Sequence, residues 1–126
     1  KAAITLLEKQ RLLKPTSQVI NINLANTYIE NNQASKAIPI LEDMIFLDRQ
    51  NQLPLLLLSD AYRKSGNKAM EHYVKAESMA LAADYDGAID QLNFAYRLSE
   101  SDPLQLARIE ARIRQFKQSK RAIEQL

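Results

Sequence analysis

The chain has 126 residues, 46% apolar and 25% charged, an ordinary balance for a folded domain that excludes intrinsic disorder. A net charge of +2 is too small to imply nucleic acid. The absence of cysteine excludes a disulfide framework, a thiolate nucleophile and any Cys-based metal site.

Only Gly66, Gly87 and four prolines interrupt long segments rich in Ala, Leu, Gln, Glu, Lys and Arg, the strong helix formers. The expectation is one all-α domain with helices over about 1–13, 17–31, 34–48, 52–65, 68–83, 85–99 and 103–124. None contains an apolar run near the ~18 residues of a membrane span. The start at Lys1, in mid-pattern and without a signal peptide, reads as the edge of a larger protein.

In chain order, the first segment carries Ala3-Ile4 with Leu7 one turn later, and the third repeats this as Ala37-Ile38 and Leu41, 34 residues on. The second and fourth segments share Leu-small-x-x-Tyr, as LANTY (Leu24 to Tyr28) and LSDAY (Leu58 to Tyr62), also 34 apart. Pro39 removes a backbone donor and crowds the preceding turn, which predicts a late start or a kink in the third helix. Pro54 fits a first turn, and Gly66 ends the fourth helix as a C-terminal cap.

The fifth segment holds His72, the sole histidine, read as a packing or surface residue because too few ligands accompany it for a metal. The sixth opens in DYDGAIDQLNFAYRL, Asp84 to Leu98. Asp84, Asp86 and Asp90 alternate like part of a calcium loop, but the required glycine and terminal glutamate are missing. Asp84 or Asp86 is instead expected to cap and charge a helix start. Ala88 lies 51 residues from Ala37, one and a half periods, so the alternation is expected to slip by one helix there. Ser101-Asp102-Pro103 reads as the start of the last helix, with Asp102 as N-cap.

That last helix carries six basic residues against Glu110 and Glu124. The reading is a solvated face, with Arg114, Lys117 and Arg121 as a basic stripe able to meet phosphate or lipid. Leu106, Ile109, Ile113, Phe116 and Ile123 form an apolar seam. Phe94 and Phe116 are placed on apolar faces.

The 34-residue period and its two motifs resemble tetratricopeptide repeats. The resemblance implies an α/α superhelix of antiparallel helices, divided as half repeat 1–15, repeat 18–51, half repeat 52–68, repeat 69–102 and terminal helix 103–126. The family's tryptophan is replaced by Asn21 and Leu55; its closing proline is kept at Pro15 and replaced by Arg49. Hairpins of this kind stack because neither helix buries its face alone, and their first helices line a concave side. The face opposite the packing residues offers Asn26, Glu30, Leu56, Asp60, Arg63, Tyr73 and Glu77 as a groove for a protein or peptide. Asn26 matches one asparagine place of the carboxylate-clamping members, but Ile22 stands where their clamp lysine would be.

The second half is similar to the C-terminal region of BepA-like periplasmic zinc metallopeptidases. The residues that carry this are His72, Asp84-Tyr85, Ala88-Ile89, Gln91-Leu92, Arg108-Ile109 and Ala111-Arg112, with Ala83 where the family has glycine. The resemblance implies a periplasmic protein with its protease domain upstream, this region recruiting clients or outer-membrane assembly partners. The chain itself lacks HExxH, GxxxxGK[ST] and GxSxG, so no catalytic residue, cofactor or metal ligand is expected in it. A free-standing repeat scaffold in assembly or regulation is the alternative; nucleic acid is not an expected partner.

Overall fold

The computed structural model describes residues 2–126, and these form seven α-helices with no strand among them. They are α1 (Ala2–Leu13), α2 (Gln18–Glu30), α3 (Ala34–Leu47), α4 (Gln52–Lys64), α5 (Lys68–Leu81), α6 (Tyr85–Arg97) and α7 (Pro103–Glu124). The all-α expectation holds, with each boundary within two residues of the sequence reading. Most starts are fixed by a short polar side chain that accepts an otherwise orphan backbone N–H. Ser17 accepts from Ile20, Asn51 from Leu53, Asn67 from Met70, Asp84 from Gly87 and Asp102 from Gln105.

One expectation is corrected. The α3 helix does not start late: it begins at Ala34 and runs through Pro39, which lies exposed inside it. Pro39 forgoes one backbone bond, and the neighbouring buried residues Ala37, Ile40 and Leu41 hold the helix in place. The helix starts 18, 52 and 85 for α2, α4 and α6 keep the period, as do 34 and 68 for α3 and α5. LNFAY, Leu92 to Tyr96, is a third copy of Leu-x-x-x-Tyr, 34 residues after LSDAY. Ala88 and Leu92 fit a hairpin helix of either kind, because a small residue followed one turn later by a large one suits any closely packed helix.

The chain divides into two compact units, 1–66 and 67–126. In the first, α2 packs against α1, α3 and α4, and α3 also packs against α4. Short turns at 14–17, 31–33 and 48–51 make successive helices antiparallel. Leu24, Ala25, Ala37, Leu41, Leu58 and Ala61 are among its most buried side chains. Alanine at three of these six places lets the backbones approach closely, and the leucines fill the remaining volume.

Polar links repeat with the same period. The Tyr28 hydroxyl donates to Glu8, and the Tyr62 hydroxyl donates to Glu42 at 3.3 Å. Each tyrosine thus reaches a glutamate 20 residues earlier, on the preceding helix. Asn21, standing where the repeat family has tryptophan, is buried but satisfied: it donates to the Pro15 carbonyl and accepts from Arg11 Nε, both at 3.0 Å. The amide therefore ties the α1–α2 turn where a large ring would have packed.

In the second unit α6 packs against α5 and α7, around Tyr73, Ala76, Ala88, Leu92, Ala95, Ile109 and Phe116. Of the seam on α7, Ile109 and Phe116 are buried and Leu106 and Ile113 are half-buried, while Ile123 is 48% exposed. Three turns just beyond helix ends use a left-handed residue, Asn32 (φ 61°), Gly66 (φ 84°) and Ala83 (φ 62°). Gly66 plays its expected part just beyond α4; Ala83 does the same with a β-carbon in place. Gly87 has a separate reason, since a β-carbon there would sit 2.5 Å from the Asp84 carboxylate that caps α6.

Candidate interaction surfaces

The expected groove residues fall in both units. In the first, Asn26 and Glu30 are exposed on α2, where Asn26 Nδ2 donates to Glu30 Oε1 at 2.7 Å. On α4, Leu56 is exposed, Asp60 half-buried and Arg63 exposed, and Arg63 pairs with Asp60 one turn away. The two helices contact one another within this unit.

The two candidates on α5 are not open. Tyr73 is 8% exposed, part of the core of its unit, with the Arg108 guanidinium 4.5 Å above its ring. Glu77 is half-buried and accepts from Arg112 Nε and a terminal nitrogen at 2.6 and 2.7 Å. This two-pronged bond, stronger than the burial that opposes it, holds the Arg112 guanidinium above its usual range. Both are covered from α7, by arginines that lie 35 residues further along the chain.

The positions on α6 equivalent to Leu56, Asp60 and Arg63 are Asp90, Phe94 and Arg97, and sequence reasoning missed all three. The signal was present in the 34-residue spacing of Tyr28, Tyr62 and Tyr96. Phe94 is 45% exposed rather than on a buried face, stacked on His72 at 5.4 Å and beneath Arg97 at 4.8 Å. The His72 Nδ1 donates to Gln91 Oε1 at 2.7 Å, which fixes the imidazole against the ring. The histidine is thus a packing residue, as expected.

Half of the basic residues on α7 dock the helix. Besides Arg112 on Glu77 and Arg108 on Tyr73, Lys120 meets Asp86 at 2.7 Å, and that hydrogen bond raises the ammonium's pKa. Asp84 is therefore the cap and Asp86 the charged partner of α7. Arg114, Lys117 and Arg121 are exposed and form no ion pair among the described residues. Among the same residues, no three His, Cys, Asp or Glu side chains come together as a metal site, and no helix is long and apolar enough to cross a membrane.

The residues quoted for the metallopeptidase resemblance thus touch one another: His72 with Gln91, Asp84 as a cap, Tyr85 against Phe116 at 5.9 Å, and Ala88, Leu92 and Ile109 in one core. Comparison with known proteins bears the resemblance out. The chain is 35% identical over 116 residues to the beta-barrel assembly-enhancing protease of Escherichia coli K12, covering 92% of this chain. It is 31% identical over the same share to that of Yersinia pestis, and 34% identical over 98 residues to a putative one of Vibrio cholerae. The aligned region is 24% of the length of the first two and 20% of the third, so the chain spans about a quarter of the relatives it matches. No family model matches it.

Proposed function

We propose that this chain is the non-catalytic, protein-binding part of a periplasmic zinc metallopeptidase of the beta-barrel assembly-enhancing type. In this reading it recruits clients or outer-membrane assembly partners to a protease domain elsewhere in the parent. The observation that carries it is the 35% identity over 92% of the chain to proteins so named. The binding role is supported by the mixed surface of Asn26, Glu30, Leu56, Asp60 and Arg63, and by the exposed Phe94 in the equivalent place on α6. Neither surface holds a nucleophile beside a base, so its chemistry suits recognition.

A photo-reactive residue at Leu56 or Phe94 tests this. An outer-membrane β-barrel protein diluted from urea into the purified chain should cross-link from both positions and not from exposed Ser35 on α3. Equal yields from all three, or none, sink the assignment. Leu56→Glu should then lower the yield at Phe94-labelled chain only if both surfaces engage one client, and should leave the melting temperature unchanged.

A further inference from the structure

The outward side of α6 carries a short line of unlike groups: Asp90, Phe94 one turn later, and Arg97 beside Leu98 at the helix end, all exposed. At 3.6 residues per turn, Asp90, Phe94 and Arg97 lie within roughly 60° of one another around the helix. The fold neutralises neither charge. Asp90 and Arg97 form no ion pair among the described residues, whereas Asp86 on the same helix meets Lys120 and Glu77 on α5 meets Arg112. About 10.5 Å of helix separates the two, which keeps them from pairing with each other. Glu100 stands in the turn beyond the helix and forms no ion pair with Arg97. The helix dipole accounts for Asp86 in the first turn and Arg97 in the last, but not for Asp90 in the middle.

The equivalent stretch of α4 is arranged differently. There Asp60 stands in the place of Phe94 and closes on Arg63 at 2.5 Å. On α6 a ring takes that place and the acid stands one turn back, so the charges stay open on either side of it. The ring is held ready. His72, fixed by Gln91, stacks on it at 5.4 Å, and the Arg97 guanidinium lies 4.8 Å from its centre. Phe94 is still 45% exposed and Leu98 53% exposed. A side chain already ordered loses less freedom when a ligand arrives.

Spacing selects the conformation of the ligand. Asp90 to Phe94 is about 6 Å along the helix and Phe94 to Arg97 about 4.5 Å, with the long arginine side chain able to reach further. Alternate residues of an extended chain stand about 6.6 Å apart on one side. A docked helix would instead need an apolar stripe of three or four residues, and this side of α6 exposes two large apolar side chains, Phe94 and Leu98. We propose that α6 binds an extended polypeptide segment in which a basic, a large apolar and an acidic residue alternate. The basic residue meets Asp90, the apolar one Phe94 and the acidic one Arg97. Such a segment is the recruited element of the role proposed above, on which its assignment rests.

Soluble peptides test this against the purified chain by fluorescence anisotropy. A peptide with Lys, Phe and Glu at alternate positions among threonines should bind with a dissociation constant on the order of 100 μM. Peptides with lysine on both sides of the phenylalanine, or glutamate on both sides, should bind at least about threefold more weakly, the scale of an exposed ion pair. Arg97→Asp should turn the preference to the all-lysine peptide and Asp90→Lys to the all-glutamate one, with circular dichroism unchanged in both. A preference that does not follow the charges overturns the proposal, as does no binding of any peptide up to about 1 mM. Tighter binding of a helix-stabilised peptide with the same three groups at helical spacing would replace the extended segment with a partner helix. Cross-linking of the β-barrel client at Phe94 with no charge preference among the peptides would leave the recruiting role standing and remove this site. The preference without the cross-link would uphold the site and remove the recruiting of barrel proteins.

Discussion

The two units solve the same packing problem by different means. In the first, the links between helices recur with the sequence: Leu24 and Leu58 fill equivalent spaces, and Tyr28 and Tyr62 each reach back 20 residues to a glutamate. In the second, the tyrosine is kept but its partner is not, because Ala76 stands where the next glutamate would fall. Tyr96 turns forward instead, to Glu110 on α7 at 3.3 Å, and the charge of that glutamate raises its pKa. The closing helix is then secured by contacts with no periodic counterpart: Arg112 on Glu77, Lys120 on Asp86, and Phe116 beneath Arg112 at 4.4 Å and beside Tyr85. The first unit carries its fastenings in the period, whereas those that hold α7 are particular to it.

The sharpest way to break that contrast is Phe116→Ala, which empties a core position that the repeat pattern does not supply. It should destabilise the second unit by about 3–5 kcal/mol in urea unfolding. A loss below about 1 kcal/mol would mean that α7 is held by its ion pairs alone. Next comes Arg112→Ala, which leaves Glu77 half-buried without its two-pronged partner and should cost about 1–3 kcal/mol. Arg112→Lys should recover only part of this, because an ammonium cannot make both bonds. Removing Arg114, Lys117 and Arg121 together should change stability by less than about 0.5 kcal/mol each, since none is paired.

The hairpin turns give a smaller effect of opposite sign in the two units. Ala83→Gly should stabilise by about 1 kcal/mol, because alanine at φ 62° pays a left-handed penalty that glycine avoids. Gly66→Ala, at φ 84° and with nothing near the added carbon, should cost a similar amount. Equal melting temperatures across these variants would contradict the assigned turn geometry.

The smallest effect lies in the periodic links. Burial first, and then the hydrogen bond to Glu8, push the Tyr28 hydroxyl up from 10.0 to about 12, against a weaker pull from Arg11. A group raised in the folded state favours folding below its unfolded value, and that contribution fades as pH climbs from about 10 through 12. Absorbance titration should therefore show one tyrosine ionising late, and Glu8→Gln should bring it earlier. An unchanged titration curve in that variant would discount the Glu8 link.

Helix number and boundaries were legible because caps such as Ser17, Asn51, Asp84 and Asp102, and the sparse glycines, act within a few residues of the chain. The surfaces were less so. Tyr73 looked like a free groove aromatic because its cover, Arg108, lies 35 residues further on. Phe94 looked like core because apolar identity does not say which side of a helix is covered. The third Leu-x-x-x-Tyr was visible and outvoted by an Ala-Ile-x-x-Leu that either kind of hairpin helix can carry.

The short reach of these fastenings bears on how the chain acquires its structure. The polar links between helices span between 10 and 35 residues, and packing partners are close in sequence. Such local topology folds in microseconds to milliseconds, whereas a ribosome adds about 5–20 residues each second. Each hairpin can therefore close almost as soon as its second helix is free to meet the first.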